Sequence, residues 1–288
     1  MVLQKRSLKK SHPDHHYGAK NVKNLREMAC KFRLYSTIVM MDDKAAIPIG
    51  PPGAPVSATR RQRATLQTGV EDLNSCDHVA QHLTPSVSVV MDAPINISSS
   101  DWYAGSPEVI LKCAIFEPSN AFRHTTEISR RLVNVTKPML FGVTDGGPDH
   151  NTMHIQVQLS LIALFLKLDL DFLCFVRTPP NYSILNPVER IMCVLNIALV
   201  GVATCRTTLD QHEQLVKNVC SKAQWREAAS RHPHIDFRKL SKLGTENVRK
   251  MFESRILSMC YKDEQFTINE PATDEEIKSM KNELALFF

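Results

Sequence analysis

Met139-Leu140-Phe141-Gly142-Val143-Thr144-Asp145-Gly146-Gly147-Pro148 is an apolar run that ends on an aspartate and a tight turn. A run this short, bounded by Gly-Gly-Pro, reads as a buried strand rather than a helix. Downstream the spacing of apolar residues changes. Asn151 to Lys167 has helical periodicity, Leu170 to Val176 reads as another buried strand, and Thr178-Pro179-Pro180 is a rigid turn. Asn186-Pro187-Val188-Glu189 then opens a helix reaching about Ala203. Asn186 suits its N-cap, Pro187 its first helical position and Glu189 its N3 position.

Upstream, Thr125 to Leu132 looks helical, capped by Thr125 or Thr126, and Val109 to Phe116 reads as a strand. Ser36 to Met41 is a further β-branched apolar run, ending in Asp42-Asp43. Lys44 to Ile49 is its expected hairpin partner, stopped by Gly50-Pro51-Pro52-Gly53. From Ala54 to about Gly105 the sequence is loop-like, with one short apolar run at Val87 to Met91. Strands alternating with helices imply a mixed β-sheet flanked by helices, an α/β fold. The expected organisation is a basic N-terminal helix and tail over 1–35, with Lys20 to Lys31 as an amphipathic helix, and a core over 36–205 with a loop-rich insertion at about 50–105. A helical C-terminal region follows over 206–288, and Thr273-x-x-Glu276 makes a capping box for its last helix.

With 43% apolar and 23% charged residues among 288, the chain has ordinary globular usage, which argues against wholesale disorder. The net charge of +5 is compatible with a polyanionic partner without requiring one. Eight cysteines without any Cys-x-x-Cys pair read as reduced, largely buried thiols of an intracellular protein. Cys76-Asp77-His78 with His82 lacks the second ligand pair a zinc site needs. The basic N-terminus has no signal-peptide pattern. The stretch Leu159 to Val176 is interrupted by Lys167, Asp169 and Asp171, and Ile191 to Cys205 is too short to span a bilayer. No membrane association is expected.

Asp42, Asp145 and Glu189 each stand where an apolar element ends or begins. In α/β sheets such ends meet on one rim, where ligands usually bind. Carboxylates gathered there repel one another unless a cation neutralises them, and hard divalent ions with oxygen ligands are the natural partners. Two such ions, about 3.5–4 Å apart, suit phosphodiester chemistry. Each acid alone has a plainer reading: a turn former at Asp145, a helix-start residue at Glu189, solvent-facing residues at Asp42 and Asp43.

In combination they match a family. Ile38-Val39-Met40-Met41-Asp42-Asp43 resembles the first catalytic strand of DDE transposases, the mariner-like ones in particular. Thr144-Asp145-Gly146-Gly147-Pro148-Asp149-His150 resembles their second motif. Pro180-Asn181-Tyr182-Ser183-Ile184-Leu185-Asn186-Pro187-Val188-Glu189-Arg190 resembles the third and most specific. The resemblance covers about 36–205 and implies an RNase H-like, integrase-like fold. It also implies cleavage and strand transfer of DNA with two Mg²⁺ (or Mn²⁺) ions held by Asp42, Asp145 and Glu189. Strand alternation lets only one of Asp42 and Asp43 face the site, and the resemblance favours Asp42. His150 stands near the metals in this reading, or is merely a residue at a helix start.

DNA is the implied partner, a homodimer is compatible with this class, and the nucleus is the implied location in a eukaryotic cell. Gly146 replaces the asparagine common after the second aspartate, and 44 positions separate Asp145 from Glu189, marking a divergent branch of transposable-element enzymes. No helix-turn-helix pattern precedes the first strand, so the chain reads as a catalytic part alone: a fragment, or a descendant without an end-recognition module. The alternatives are a domesticated DNA-binding or scaffold protein without catalysis, and a nuclease without strand transfer. Arg60, Arg61 and Arg63 can contact DNA phosphates or form a solvated basic loop. Trp102 and Tyr103 can stack on a base, although packing onto the core is the simpler reading. Asp92, after another apolar run, is a rival acid.

Overall fold

The computed structural model describes residues 13–59, 80–179 and 185–285, except 218 and 220. Its strands are β1 Ser36–Asp43, β2 Ile47–Ile49, β3 Val56–Ser57, β4 Gln81–Asp92, β5 Ser106–Cys113, β6 Met139–Thr144, β7 Phe172–Arg177, β8 Ala203–Thr204, β9 Cys260–Tyr261, β10 Glu264–Gln265 and β11 Thr267–Asn269. Its α-helices are α1 His15–Lys31, α2 Ala121–Leu132, α3 Ile155–Lys167, α4 Val188–Leu199, α5 Glu213–Val216, α6 Lys222–Arg231, α7 Phe237–Leu257 and α8 Asp274–Ala285.

Seven strands make one mixed sheet in the order β11-β5-β4-β1-β6-β7, with β2 also on β4. β1, β4 and β5 pair antiparallel, whereas β6 and β7 run parallel to β1 and are reached through α2 and α3. Three meandering strands followed by two parallel crossovers give the RNase H-like fold that the motifs imply. β11 joins β5 at the far edge, and α8 packs on α2 and α3, so the C-terminal residues complete the same sheet and helical layer.

The alternation of β1 decides which layer each residue meets. Ile38 and Met40 enter the core formed with α1, α4 and α7, together with Phe141 and Val143 of β6. Val39 and Met41 point the other way, with Leu140, into the core formed with α2, α3 and α8. A third cluster, around Trp225 and Phe237, holds α6 against the end of β5.

Three local expectations are corrected. Residues 44–49 form no hairpin with β1. After a break, β2 continues along the same neighbour, with Asp43 opposite Ser86 and Ile47 opposite Leu83 on β4. Asp43-Lys44-Ala45-Ala46 offers no residue suited to a tight primed turn, so the chain runs on. The insertion expected to be loop-rich contains β4, one of the longest pairing partners in the sheet. Leu83, Val87, Val89 and Met91 fall at alternate positions and are all buried, but Pro85 on that face and apolar Val90 between Val89 and Met91 interrupt the period. Finally, α2 begins at Ala121, four residues before Thr125. Asn120 caps it by accepting from the Arg123 N–H at 2.9 Å, while the Thr125 and Thr126 hydroxyls donate back to helix carbonyls.

Candidate active site

β1 and β6 are parallel neighbours, with Met40 opposite Val143. Two residues further along each strand stand Asp42 and Asp145, at the same rim. The alternation that sends Met40 and Val143 toward α4 sends Asp42 and Asp145 the same way, and α4 carries Glu189 in its first turn. The start of α4 is tied to β1 by buried Asn186, whose side-chain amide donates to the Met41 carbonyl at 3.1 Å and whose oxygen accepts from the Val188 N–H at 3.4 Å. Asn186 therefore acts one step before the helix proper and couples the third motif to the first.

The electrostatics follow from this convergence. Asp42 is 8% exposed. Burial, reinforced by the negative charges of Asp145 and Glu189, pushes its carboxyl up to about 8. Burial also raises Asp145, opposed by the Gly147 N–H that donates to it at 2.9 Å. Gly146 has φ +84, a left-handed conformation natural for glycine, which lets the chain turn back after the strand. Lys44, half-buried, approaches the same rim: its ammonium bonds Asn196 of α4 and feels Glu189, while burial lowers its proton affinity. Sequence reasoning passed over Lys44, although its place two residues beyond Asp42 in an extended segment was a usable signal.

Asp43 points to the opposite layer. There Asp43, His124 and His150 bring one potential ligand atom each within 4.8 Å of one another. The partners of His124 argue against a metal at this spot. Lys112 Nζ, fully buried and paired with Glu127 at 2.9 Å, lies 3.2 Å from His124 Nδ1. An ammonium can only donate, so Nδ1 accepts and the hydrogen sits on Nε2, which donates to Asp149 at 2.9 Å. Both ring nitrogens are thus engaged. The result is a buried chain, Glu127–Lys112–His124–Asp149, that clasps the turn following Asp145.

Burial, offset by the neighbouring His124 ring and the Lys112 ammonium, leaves Asp43 below the ordinary carboxylate range. Asp149 is held well below it too, its burial outweighed by the His124 hydrogen bond. His150 packs against His124 with ring centroids 4.2 Å apart and planes tilted by 36°, and burial beside His124 pushes it down to about 3. Its Nε2 has no protein partner and borders a cavity of about 20 Å³, enough for one water molecule. His150 therefore belongs to the layer behind the acids. His124, Lys112 and Asp149 were not singled out from sequence, because nothing local marks residues that meet only across the fold. Arg60, Arg61 and Arg63 lie outside the described residues, as do Pro180 to Ile184 of the third motif and Cys76 and His78. Asp92, the rival acid, lies at the other end of the sheet, exposed and paired with Lys137.

In three dimensions the chain is similar to Mos1 mariner transposase. It matches the Mos1 mariner paired-end complex with Mn at 16% identity and TM-score 0.36, covering 88% of this chain and 67% of that one. It matches the Mos1 strand transfer complex at 14% identity and TM-score 0.34, covering 88% and 66%. The Mos1 paired-end complex with left transposon end gives 16% identity and TM-score 0.37, covering 88% and 67%. The chain thus spans about two thirds of the length of the Mos1 chains it matches. No protein-family model and no curated protein sequence matches it. At these values the likeness to Mos1 is one of outline, and the chemistry has to come from the residues of this chain. Among the described residues, no helix is long and apolar enough to cross a membrane.

Proposed function

We propose that this chain is the catalytic domain of a DDE-type transposase, which cleaves DNA phosphodiesters and joins the ends to new positions. The observation that carries this reading is the like-charge cluster itself. Asp42 is buried beside Asp145 and Glu189 at a cost large enough to push its carboxyl up to about 8. A purely structural role gives no reason to keep three acids together there.

The residues fit divalent metal. Asp42, Asp145 and Glu189 supply only oxygen donors, the set that Mg²⁺ and Mn²⁺ prefer, and their mutual repulsion favours a cation between them. When bound, two such ions would supply charge stabilisation at the attacking and leaving oxygens of the phosphodiester. The chain's own residues do the rest. Asn186 fixes Glu189 relative to β1, the Gly147 N–H orients Asp145, and Lys44 offers a cation at the rim for the DNA backbone. DNA as partner, assembly as a homodimer and work in the nucleus of a eukaryotic cell belong to this same proposal.

Calorimetric titration of Mn²⁺ into the wild-type chain and into Asp145→Ala and Glu189→Ala tests the reading. Binding present in the wild type and lost in both variants supports it, and nicking and joining assays on DNA ends then separate a transposase from a nuclease that only cuts. A wild-type chain that binds no Mn²⁺, with or without DNA, would overturn the catalytic reading in favour of a retained scaffold.

A further inference from the structure

The connection between β4 and β5 contains a short 3₁₀ turn, Ser100–Tyr103, capped by the Ser99 hydroxyl. Trp102 anchors it: the indole is 1% exposed and donates to the Asn96 carbonyl at 3.1 Å. That anchor presents Tyr103, half-buried, as a small platform beside the start of α4. Three cations gather on it. The Arg190 guanidinium lies 3.6 Å from the ring centroid and Lys262 Nζ lies 5.7 Å from it. Arg26 of α1 hydrogen-bonds the Tyr103 side chain and covers Trp102 at 4.9 Å.

Among the described residues none of these three cations forms an ion pair with a carboxylate. The polar atoms around them are under-used as well: the Tyr261 hydroxyl and Arg26 Nε are buried without a hydrogen-bond partner. Lys262 sits in the two-residue turn between β9 and β10, where φ is 49° at Lys262 and 67° at Asp263. Such a turn normally takes Asn-Gly, so the backbone accepts strain at the point that brings Lys262 over the ring. Arg190 follows Glu189 directly, and Arg26 also donates to the Leu185 carbonyl at 3.3 Å, so the platform borders the third motif.

Arg190, centred 3.6 Å over the Tyr103 ring, presents the kind of group that binds phosphate in bidentate fashion, and Lys262, which also donates to the Ser100 carbonyl at 3.1 Å, adds a point charge beside it. Aromatic rings interleaved with Arg and Lys are what a nucleic-acid strand requires. We infer that Tyr103, Arg190, Arg26 and Lys262 form a phosphate-binding subsite for the DNA strand that flanks the acidic rim. The inference rests on the proposed action on DNA. It adds a strand path on the α1 side of α4, so that a backbone phosphate held by Arg190 leads its neighbours toward Asp42 and Asp145.

Fluorescence anisotropy with a labelled DNA duplex carrying a single-stranded overhang tests this, titrated over roughly 50–200 mM salt. Arg190→Ala, Arg26→Ala and Lys262→Ala should each weaken binding and reduce the salt slope by about 0.7–0.9, the value of one phosphate contact. Arg190→Lys should keep most of the slope, and Lys278→Ala, on α8 in the opposite layer, should leave it unchanged. If the wild type binds DNA and all three alanine variants keep its slope and affinity, the subsite is overturned while the metal titration still judges the acids. Competition by polyglutamate as strong as by unlabelled DNA would overturn it too, because the site would then read negative charge rather than phosphate. A wild type that binds no DNA overturns the subsite together with the action on DNA, whatever Mn²⁺ does.

Discussion

Replacing Asp42 by Asn should stabilise the metal-free protein at neutral pH while abolishing the proposed metal binding. The carboxyl rises from an ordinary 3.8 to about 8 in the folded chain. Because the folded value is the higher one, the stability that protonated Asp42 contributes is complete below pH 3.8 and is lost as the pH climbs through 8. Roughly four units at about 1.4 kcal/mol each put the loss near 6 kcal/mol. That is a large share of the about 5–15 kcal/mol that holds a typical domain together. It corresponds to a fall in Tm on the order of 10 °C.

Thermal unfolding by circular dichroism, in EDTA from pH 4 to 9, measures this directly. The wild-type Tm should fall relative to that of Asp42→Asn as the pH rises, and the variant should end well above it at pH 8. Saturating Mn²⁺ should then raise the wild type and leave the variant where it was. A wild type and an Asp42→Asn variant with parallel pH profiles in EDTA would refute the reasoning, because Asp42 would then not be the group carrying the cost.

Two further outcomes follow from the supports of the acids. His124→Phe keeps the ring volume but cannot bond Asp149, so Mn²⁺ affinity should drop by about 10-fold, the usual effect of losing an outer support. His124→Gln, with an amide able to reach Asp149, should restore most of that affinity, and equal Mn²⁺ binding by all three proteins would refute the clasp. Asn186→Ala leaves the Met41 carbonyl unpaired in the interior and should cost about 1–3 kcal/mol in urea unfolding. It should also weaken Mn²⁺ binding, and a variant as stable as the wild type would show that Asn186 does not tie α4 to β1.

Much of the site could be read in the chain order. The runs Ser36 to Met41 and Met139 to Thr144 were legible because a buried strand needs a short uncharged apolar stretch, and their terminal aspartates stood out against it. The capping box at Thr273 and Glu276 holds as read, with reciprocal bonds of 2.7 and 3.2 Å, because caps are local. β4 was harder to see, since Pro85 inside it reads as a strand breaker until its partners on both sides are known.

The sequence by itself determined the alternation of strands and helices from β5 to α4, the three acids at element ends, and the absence of any long apolar span. Only the tertiary structure decided which face each acid takes, because one residue of register separates Asp42, facing Asp145 and Glu189, from Asp43, facing His124. It alone assembled Glu127, Lys112, His124 and Asp149 into one buried chain, and Arg26, Tyr103, Arg190 and Lys262 onto one platform. Those residues are far apart along the chain, and neither ion pairing nor cation–π attraction leaves a periodic signature. They meet because a mixed sheet with helices on both faces brings distant segments to the same rim.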